Sequence, residues 1–202
     1  MKQVLYEQST LTPSKVICVG RNYVEHIYEL GNEVPENMVL FNKPNASISD
    51  RLYYIQEDCR FEGEICFLMY AGKIEGVGFG LDLTKADLQN YLKAKGLPWE
   101  RAKAFDNAAV LSPFVKCKGS LESLEMKLYL NDRVQQHATY ELMIYKPQQI
   151  VDEIASFMHI EDGDIIMSGT PKGVTTYQRG DRLKAEISMD GKIILEAAFT
   201  AL

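Results

Sequence analysis

Glu62 and Glu64 stand two residues apart in the run from Phe61 to Tyr70, which is otherwise apolar and alternating. A period of two places both carboxylates on one face of a strand, with Cα atoms ~7 Å apart. If that face is buried the two charges repel, and a hard divalent cation with oxygen ligands, such as Mg²⁺, resolves the conflict. The same alternation also describes two solvated glutamates on the wet face of a half-exposed strand, and the local pattern alone favours that plainer reading. Asp82 lies at the end of a strand candidate and before a helix start. It is a third oxygen ligand if the fold brings it to the glutamates; otherwise it is a charge favourable to a helix N-terminus. His26 and Glu29 are three apart on a short predicted helix and share a face. A glutamate beside a histidine fixes the tautomer and raises the basicity, which suits a general base acting on water. As a surface pair the two contribute only a few tenths of a kcal/mol.

Lys43, Lys103 and Arg21 each occupy a short, partly apolar setting, where pattern does not decide between solvent and a site. Gly169-Thr170-Pro171-Lys172-Gly173 follows an apolar strand and could present backbone N–H groups to an anion, or be a plain turn. The spacing of a phosphate loop is absent, as are the G-x-S-x-G elbow of serine hydrolases and the H-E-x-x-H helix of zinc proteases. Glycines 76, 78 and 80 lack the dinucleotide-binding spacing.

Several elements must position these groups. Val16 to Gly20 reads as a buried strand, with Asn22 available to cap a helix from Tyr23 to Leu30 that stops at Gly31-Asn32. Met38 to Phe41 is a short strand. In the run containing the glutamates, Phe61, Ile65, Phe67 and Met69 point one way, and Glu62, Glu64, Cys66 and Leu68 the other. Gly76 to Leu83 is a further strand, and Thr84 with Asp87 reads as a capping box for a helix through Leu88, Tyr91 and Leu92. Leu124 to Leu130 alternates before an Asn131-Asp132 turn. Ile150, Val151, Ile154, Phe157 and Met158 mark a second helix after Pro147. Ile165 to Ser168, Leu183 to Ile187 and Ile193 to Phe199 close the chain as strands. Many short strands and two helices of some length indicate an α+β protein that is mainly β, not an alternating βαβ sheet. Residues 1–13 are expected to form a lead-in or edge strand, and 14–202 a single domain.

The 202 residues carry 22 Lys and Arg against 28 Asp and Glu, a net charge of −6. That sign argues against a nucleic-acid face and a polybasic membrane surface. No window approaches the ~18 apolar residues of a membrane span. The N-terminus lacks a signal-peptide pattern, so the expected location is cytoplasmic. The four cysteines, Cys18, Cys59, Cys66 and Cys117, are scattered and read as small core residues.

The pieces occur in a specific order: Val19-Gly20-Arg21-Asn22-Tyr23 with His26 and Glu29; Phe41 to Pro44; Glu62-Gly63-Glu64; Leu81-Asp82-Leu83-Thr84 with Asp87; Gly96-Leu97-Pro98-Trp99 through Lys103, Phe105 and Asp106; Ser168 to Val174; and Gly180-Asp181. As an ordered set they resemble the fumarylacetoacetate hydrolase family over nearly the whole chain from residue 15. The resemblance implies a rolled mixed β-sandwich with a few short helices, a homodimer, and a Mg²⁺ or Mn²⁺ site whose ligands are Glu62, Glu64 and Asp82. It implies a small 2-oxo acid as substrate, whose keto group a divalent cation would polarise toward an enolate. It assigns Lys103 to the developing negative charge, the His26–Glu29 pair to an attacking water, and Arg21, Lys43, Gln89 and Thr170 to substrate contacts. The helix bearing His26 behaves as a lid in such proteins. Acylpyruvate C–C hydrolysis with oxaloacetate decarboxylation is the leading expectation. An isomerase or keto–enol tautomerase of an unsaturated or enolic diacid is the alternative. The chain departs from the family pattern at Thr84-Lys85-Ala86-Asp87, where the usual basic residue before the aspartate is missing and Lys85 is the candidate substitute. The stretch between Tyr70 and Gly76 is shorter than usual, and Asn131-Asp132 replaces an asparagine-glycine turn.

Overall fold

The structure, a computed structural model, describes residues 1–29, 31 and 35–202. The chain begins with a hairpin of β1 (Val4–Tyr6) and β2 (Ser9–Leu11), then β3 (Lys15–Gly20) and a short helix α1 (Val24–Glu29). Strands β4 (Val39–Pro44) and β5 (Ile48–Ser49) precede two long ones, β6 (Cys59–Tyr70) and β7 (Lys73–Lys85). Helices α2 (Ala86–Ala94) and α3 (Glu100–Lys103) follow, then β8 (Ala109–Leu111), β9 (Val115–Lys116), β10 (Glu125–Leu130) and β11 (Arg133–Thr139). Helix α4 (Pro147–Ala155) leads to β12 (Ile165–Met167), β13 (Thr175–Thr176), β14 (Arg182–Met189) and β15 (Lys192–Thr200).

Among the described residues, nine strands build one mixed sheet in the order β4-β3-β12-β6-β7-β8-β5, with β13 beside β6 and β9 beside β7. Its β3–β12 and β5–β8 pairs are parallel. A second, antiparallel sheet runs β11-β10-β14-β15. Alternation along β6 fills the space between the sheets. Phe61, Ile65, Phe67 and Met69 enter a core shared with Met126, Leu128, Leu183 and Ile187 of the second sheet. Burying each such side chain contributes about 1.5–3 kcal/mol relative to exposure. Cys66 and Leu68 face the other way, into a smaller core with Cys18, Leu111, Phe114 and Met167. Glu62 and Glu64 share that second direction, so the period-two reading of this strand holds. The architecture is the mainly β, rolled mixed sandwich expected from the sequence.

The β6–β7 hairpin turns on Ala71 and Gly72, both with positive φ (48° and 72°), as a two-residue turn requires. That turn accounts for the short link after Tyr70. β7 must also pass close to the smaller core: a Cβ on Gly80 would fall 2.6 Å from the Cys66 sulfur. Asn131 and Asp132 both adopt positive φ, so Asp132 takes the place a glycine would ordinarily fill. The N-terminal hairpin is anchored rather than loose, since Val4 is buried in the smaller core and Phe114 N–H donates to the Leu5 carbonyl.

Three local expectations are corrected. The Thr84–Asp87 capping box does not form. β7 runs on to Lys85, and α2 starts without a side-chain cap from its own N-cap residue. Asp58 supplies the cap from outside the helix, its carbonyl accepting from Ala86 N–H and its carboxylate from Asp87 N–H. Asn22 does not cap α1; its amide donates to the carbonyls of Tyr145 and Ser168, and its oxygen accepts from Tyr145 N–H. The strand expected at Met38 to Phe41 is displaced to Val39–Pro44, because pairing with β3 continues to Lys15↔Pro44. Leu30 and Asn32, at the expected end of the first helix, lie outside the described residues.

Candidate active site

The β6–β7 register sets the site. Glu62 pairs directly across from Asp82, and Glu64 from Gly80. Like charges directly opposite one another on antiparallel strands are destabilising. Here three of them converge: one oxygen from each of Glu62, Glu64 and Asp82 lies within 4.8 Å of the others. Glu64 and Asp82 are each 1% exposed. Two buried lysines answer part of this charge. Lys103 places its ammonium 2.8 Å from Glu62 Oε2 and 2.8 Å from Asp82 Oδ2. It also donates to the Thr84 hydroxyl at 2.6 Å. Lys43 lies 2.8 Å from Asp82 Oδ1 and also donates to the Leu83 and Lys103 carbonyls.

The electrostatic result is uneven. Burial would raise the Asp82 carboxyl, but Lys103 and Lys43 outweigh it and hold its pKa below the ordinary value. Burial would lower the Lys103 ammonium, but Asp82 and Glu62 hold it above the usual lysine range, so it stays charged. Glu64 has no lysine within ion-pair distance among the described residues. Burial pushes its pKa well up, the charges of Asp82 and Glu62 push it further, and the Gly169 N–H and Lys103 offset only part of this. A buried carboxylate left in that condition, with two more beside it, fits a divalent cation with oxygen ligands. Three carboxylates and two ammoniums leave a net charge of −1; adding a dication makes it +1, a sign that favours an anionic ligand.

The cavity over the triad is small, about 40 Å³, and is also lined by Arg21, His26, Gln89, Lys93, Lys103 and Thr170. The expected site residues therefore converge, with two exceptions. Lys43 lies behind Asp82, fully buried, and does not line this cavity. Glu29 lines not this cavity but a larger adjoining one of about 570 Å³. His26 is 6% exposed, with Nδ1 3.1 Å from Glu29 Oε2. Glu29 in turn accepts from Gly173 N–H, so the glycine-rich turn holds the acidic partner of the histidine. Arg21 takes a positive φ of 58°, uncommon for a non-glycine residue and frequent at sites where position matters more than local comfort. Lys85 does not substitute for the missing basic residue at this mouth. Its ammonium lies over the Phe105 ring, 4.6 Å from the centroid.

Residues that carried no signal in the sequence complete the scaffold. Gln136 on β11 is 1% exposed; its oxygen accepts from Gly63 N–H, and its amide donates to the Thr170 hydroxyl and the Pro171 carbonyl. Thr170 closes the loop by donating to the Gly63 carbonyl. The second sheet thus clamps the residue between the two glutamates and the glycine-rich turn together. Thr84, expected at a helix cap, instead donates to Glu62 Oε1.

The family model described as fumarylacetoacetate (FAA) hydrolase C-terminal matches residues 15–198. This chain belongs to the fumarylacetoacetate hydrolase family. It is 36% identical to the oxaloacetate tautomerase YcgM of Escherichia coli, over 88% of this chain and 89% of that protein. It is 32% identical to the human mitochondrial oxaloacetate tautomerase FAHD1, over 85% and 86% respectively. Its structure superimposes on that of fumarylpyruvate hydrolase from Pseudomonas aeruginosa, solved in complex with Mn²⁺ and pyruvate, with a TM-score of 0.88 and 25% identity, covering 100% and 95% of the two chains. Among the described residues, no helix is long and apolar enough to cross a membrane.

Proposed function

We propose that this protein is a divalent-metal-dependent enzyme that moves the proton between the keto and enol forms of a small 2-oxo acid, with oxaloacetate the first substrate to test. The observation that carries the reading is the buried triad of Glu62, Glu64 and Asp82 with the Lys103 ammonium set against two of its members. Kinship with two proteins named oxaloacetate tautomerase supports tautomerisation ahead of the hydrolysis that heads the sequence expectation. Glu62, Glu64 and Asp82 would hold Mg²⁺ or Mn²⁺, which when bound supplies Lewis acidity toward a 2-oxo group. Lys103 remains protonated and places a fixed positive charge where the enolate oxygen develops, with no reorganisation needed during the reaction. Lys43 holds Asp82 ionised and oriented from behind. Gln136 and Thr170 hold the Glu62-Gly63-Glu64 segment and the Ser168–Gly173 turn in one position.

C–C hydrolysis of an acylpyruvate is the second reading, and the His26–Glu29 pair favours it. With the Nδ1 proton directed at Glu29, Nε2 is the basic atom and can take a proton from water. Proton shift and decarboxylation need no such water. The test follows enol-oxaloacetate by its ultraviolet absorbance and pyruvate release from acetylpyruvate, after chelator treatment and again with Mn²⁺. Tautomerisation should appear only with the metal. Absence of any metal-dependent rate in either assay would overturn the reading. His26→Gln should cut pyruvate release by about 10²-fold or more and tautomerisation far less; equal losses would contradict the division of labour.

A further inference from the structure

The triad's own cavity, about 40 Å³, has room for little more than a cation and one or two waters. Any substrate atoms beyond the chelating end must go elsewhere. The adjoining cavity of about 570 Å³ shares Glu62, Gln89 and Lys93 with the first as wall residues. Its walls include Arg60, Ala86 and Asn90. Arg60 lies two residues before Glu62 on β6 and directly across from Thr84, the residue two before Ala86 on the neighbouring strand. Arg60 and Glu62 therefore share a strand face, with Cα atoms ~7 Å apart. Ala86 adds only a methyl group to that wall. Among the described residues the Arg60 guanidinium makes no hydrogen bond or ion pair.

The second cation there, Lys93, lies over the Trp99 ring at 5.1 Å from the centroid. Burial and the positive charges of Arg21 and Lys103 lower its pKa, and Glu62 works against them. The two acids of the cavity wall are already engaged. Glu62 is held by Lys103 and Thr84, and Glu29 by the Gly173 N–H and His26. Among the described residues, Arg60 is thus the charged group of this cavity whose donors are not taken.

We infer that Arg60, assisted by Lys93, forms a subsite for a second carboxylate carried at the far end of the 2-oxo acid, and that Arg60 is the specificity-determining residue that selects dicarboxylic over monocarboxylic substrates. The inference rests on the 2-oxo acid reading of the triad. A planar guanidinium suits it, because it can present two parallel N–H donors to a carboxylate. Asn90 and Gln89 add polar groups along the path between the two ends.

The test measures binding, not turnover. Calorimetric titration of the Mn²⁺-loaded protein would compare 2-oxoglutarate with 2-oxopentanoate, which share the chelating end and carbon count and differ in the far carboxylate. The wild type should prefer 2-oxoglutarate by about tenfold or more, the range of one charge-assisted pair. Arg60→Gln should reduce that preference to about twofold or less, and Arg60→Lys should keep part of it. A wild type that binds both acids equally, or an Arg60→Gln variant that keeps the full preference, would overturn the subsite while leaving the triad reading intact. Binding of neither acid by the metal-loaded wild type would overturn the 2-oxo acid reading, and the subsite with it.

Discussion

Replacing Glu64 with glutamine should make the metal-free protein more stable and remove most of the stability that Mn²⁺ adds. The carboxylate of Glu64 is buried, within 4.8 Å of an oxygen from each of two other acids, and receives one backbone N–H from Gly169. At that separation two unit charges repel by about 3.5 kcal/mol with an effective dielectric near 20. Glu62 and Asp82 both contribute, while Lys103, paired with both of them, cancels a large part. A net relief of about 1–3 kcal/mol at pH 8 follows, in the range found when buried charges are replaced by neutral groups of similar size. The glutamine oxygen can still accept from Gly169, and its amide can donate to Glu62 or Asp82. For a chain of this length the relief corresponds to a rise in Tm of roughly 2–12 °C. Thermal unfolding in chelator should show that rise. With Mn²⁺ at a hundredfold excess over its Kd, the wild type should gain about 2.7 kcal/mol, and Glu64→Gln should gain far less. A variant that is less stable than wild type in chelator and keeps the full Mn²⁺ gain would refute the reasoning, because Glu64 would then be a structural acid.

Two further perturbations probe the frame around the triad. Gly63→Ala puts a Cβ 2.6 Å from Leu128 Cδ2 and 2.9 Å from Gln136 Oε1, so urea unfolding should show a loss of about 1–3 kcal/mol together with weaker Mn²⁺ binding; wild-type values for both would mean that the clamp between the sheets yields freely. Asp164→Ala removes the acceptor for Ser14, Lys15 and the Glu161 N–H, which ties β3 to β12, and should cost about 2–4 kcal/mol at pH 7. Burial would raise the Asp164 pKa, but Lys15 and Ser14 hold it below 3.8. Its stabilisation is therefore complete above that pH and disappears as pH falls through the lower folded value, so the gap between wild type and variant should close only in strong acid. A gap that closes already near pH 6 would assign the effect to another group.

What could be read from the sequence was local. The two faces of β6 follow from period two alone, and the turn residues Asn131-Asp132 mark their hairpin. The order of the motifs carried the family. The site's supports were not legible, because they are contacts across long separations: Lys103 meets Glu62 41 residues away, and Gln136 meets Gly63 73 residues away. A lone glutamine on a half-polar strand gives no periodic signal. Thr84 shows how a local pattern misleads. Thr-x-x-Asp is an N-cap signature when the hydroxyl is free to turn back on the helix, but here Glu62 and Lys103 take that hydroxyl first and Asp58 caps the helix instead. Arg60 carries no signal for the same reason, since nothing in its neighbours in sequence reveals the cavity it lines.

The proposed chemistry depends on Glu62, Glu64 and Asp82 together holding one divalent cation. Anomalous diffraction from crystals grown with Mn²⁺ tests it most directly. One Mn²⁺ peak per chain is expected, with a carboxylate oxygen of each of the three residues at about 2.0–2.3 Å. A crystal saturated with Mn²⁺ but lacking a peak at these residues, or with the ion bound elsewhere, would contradict it.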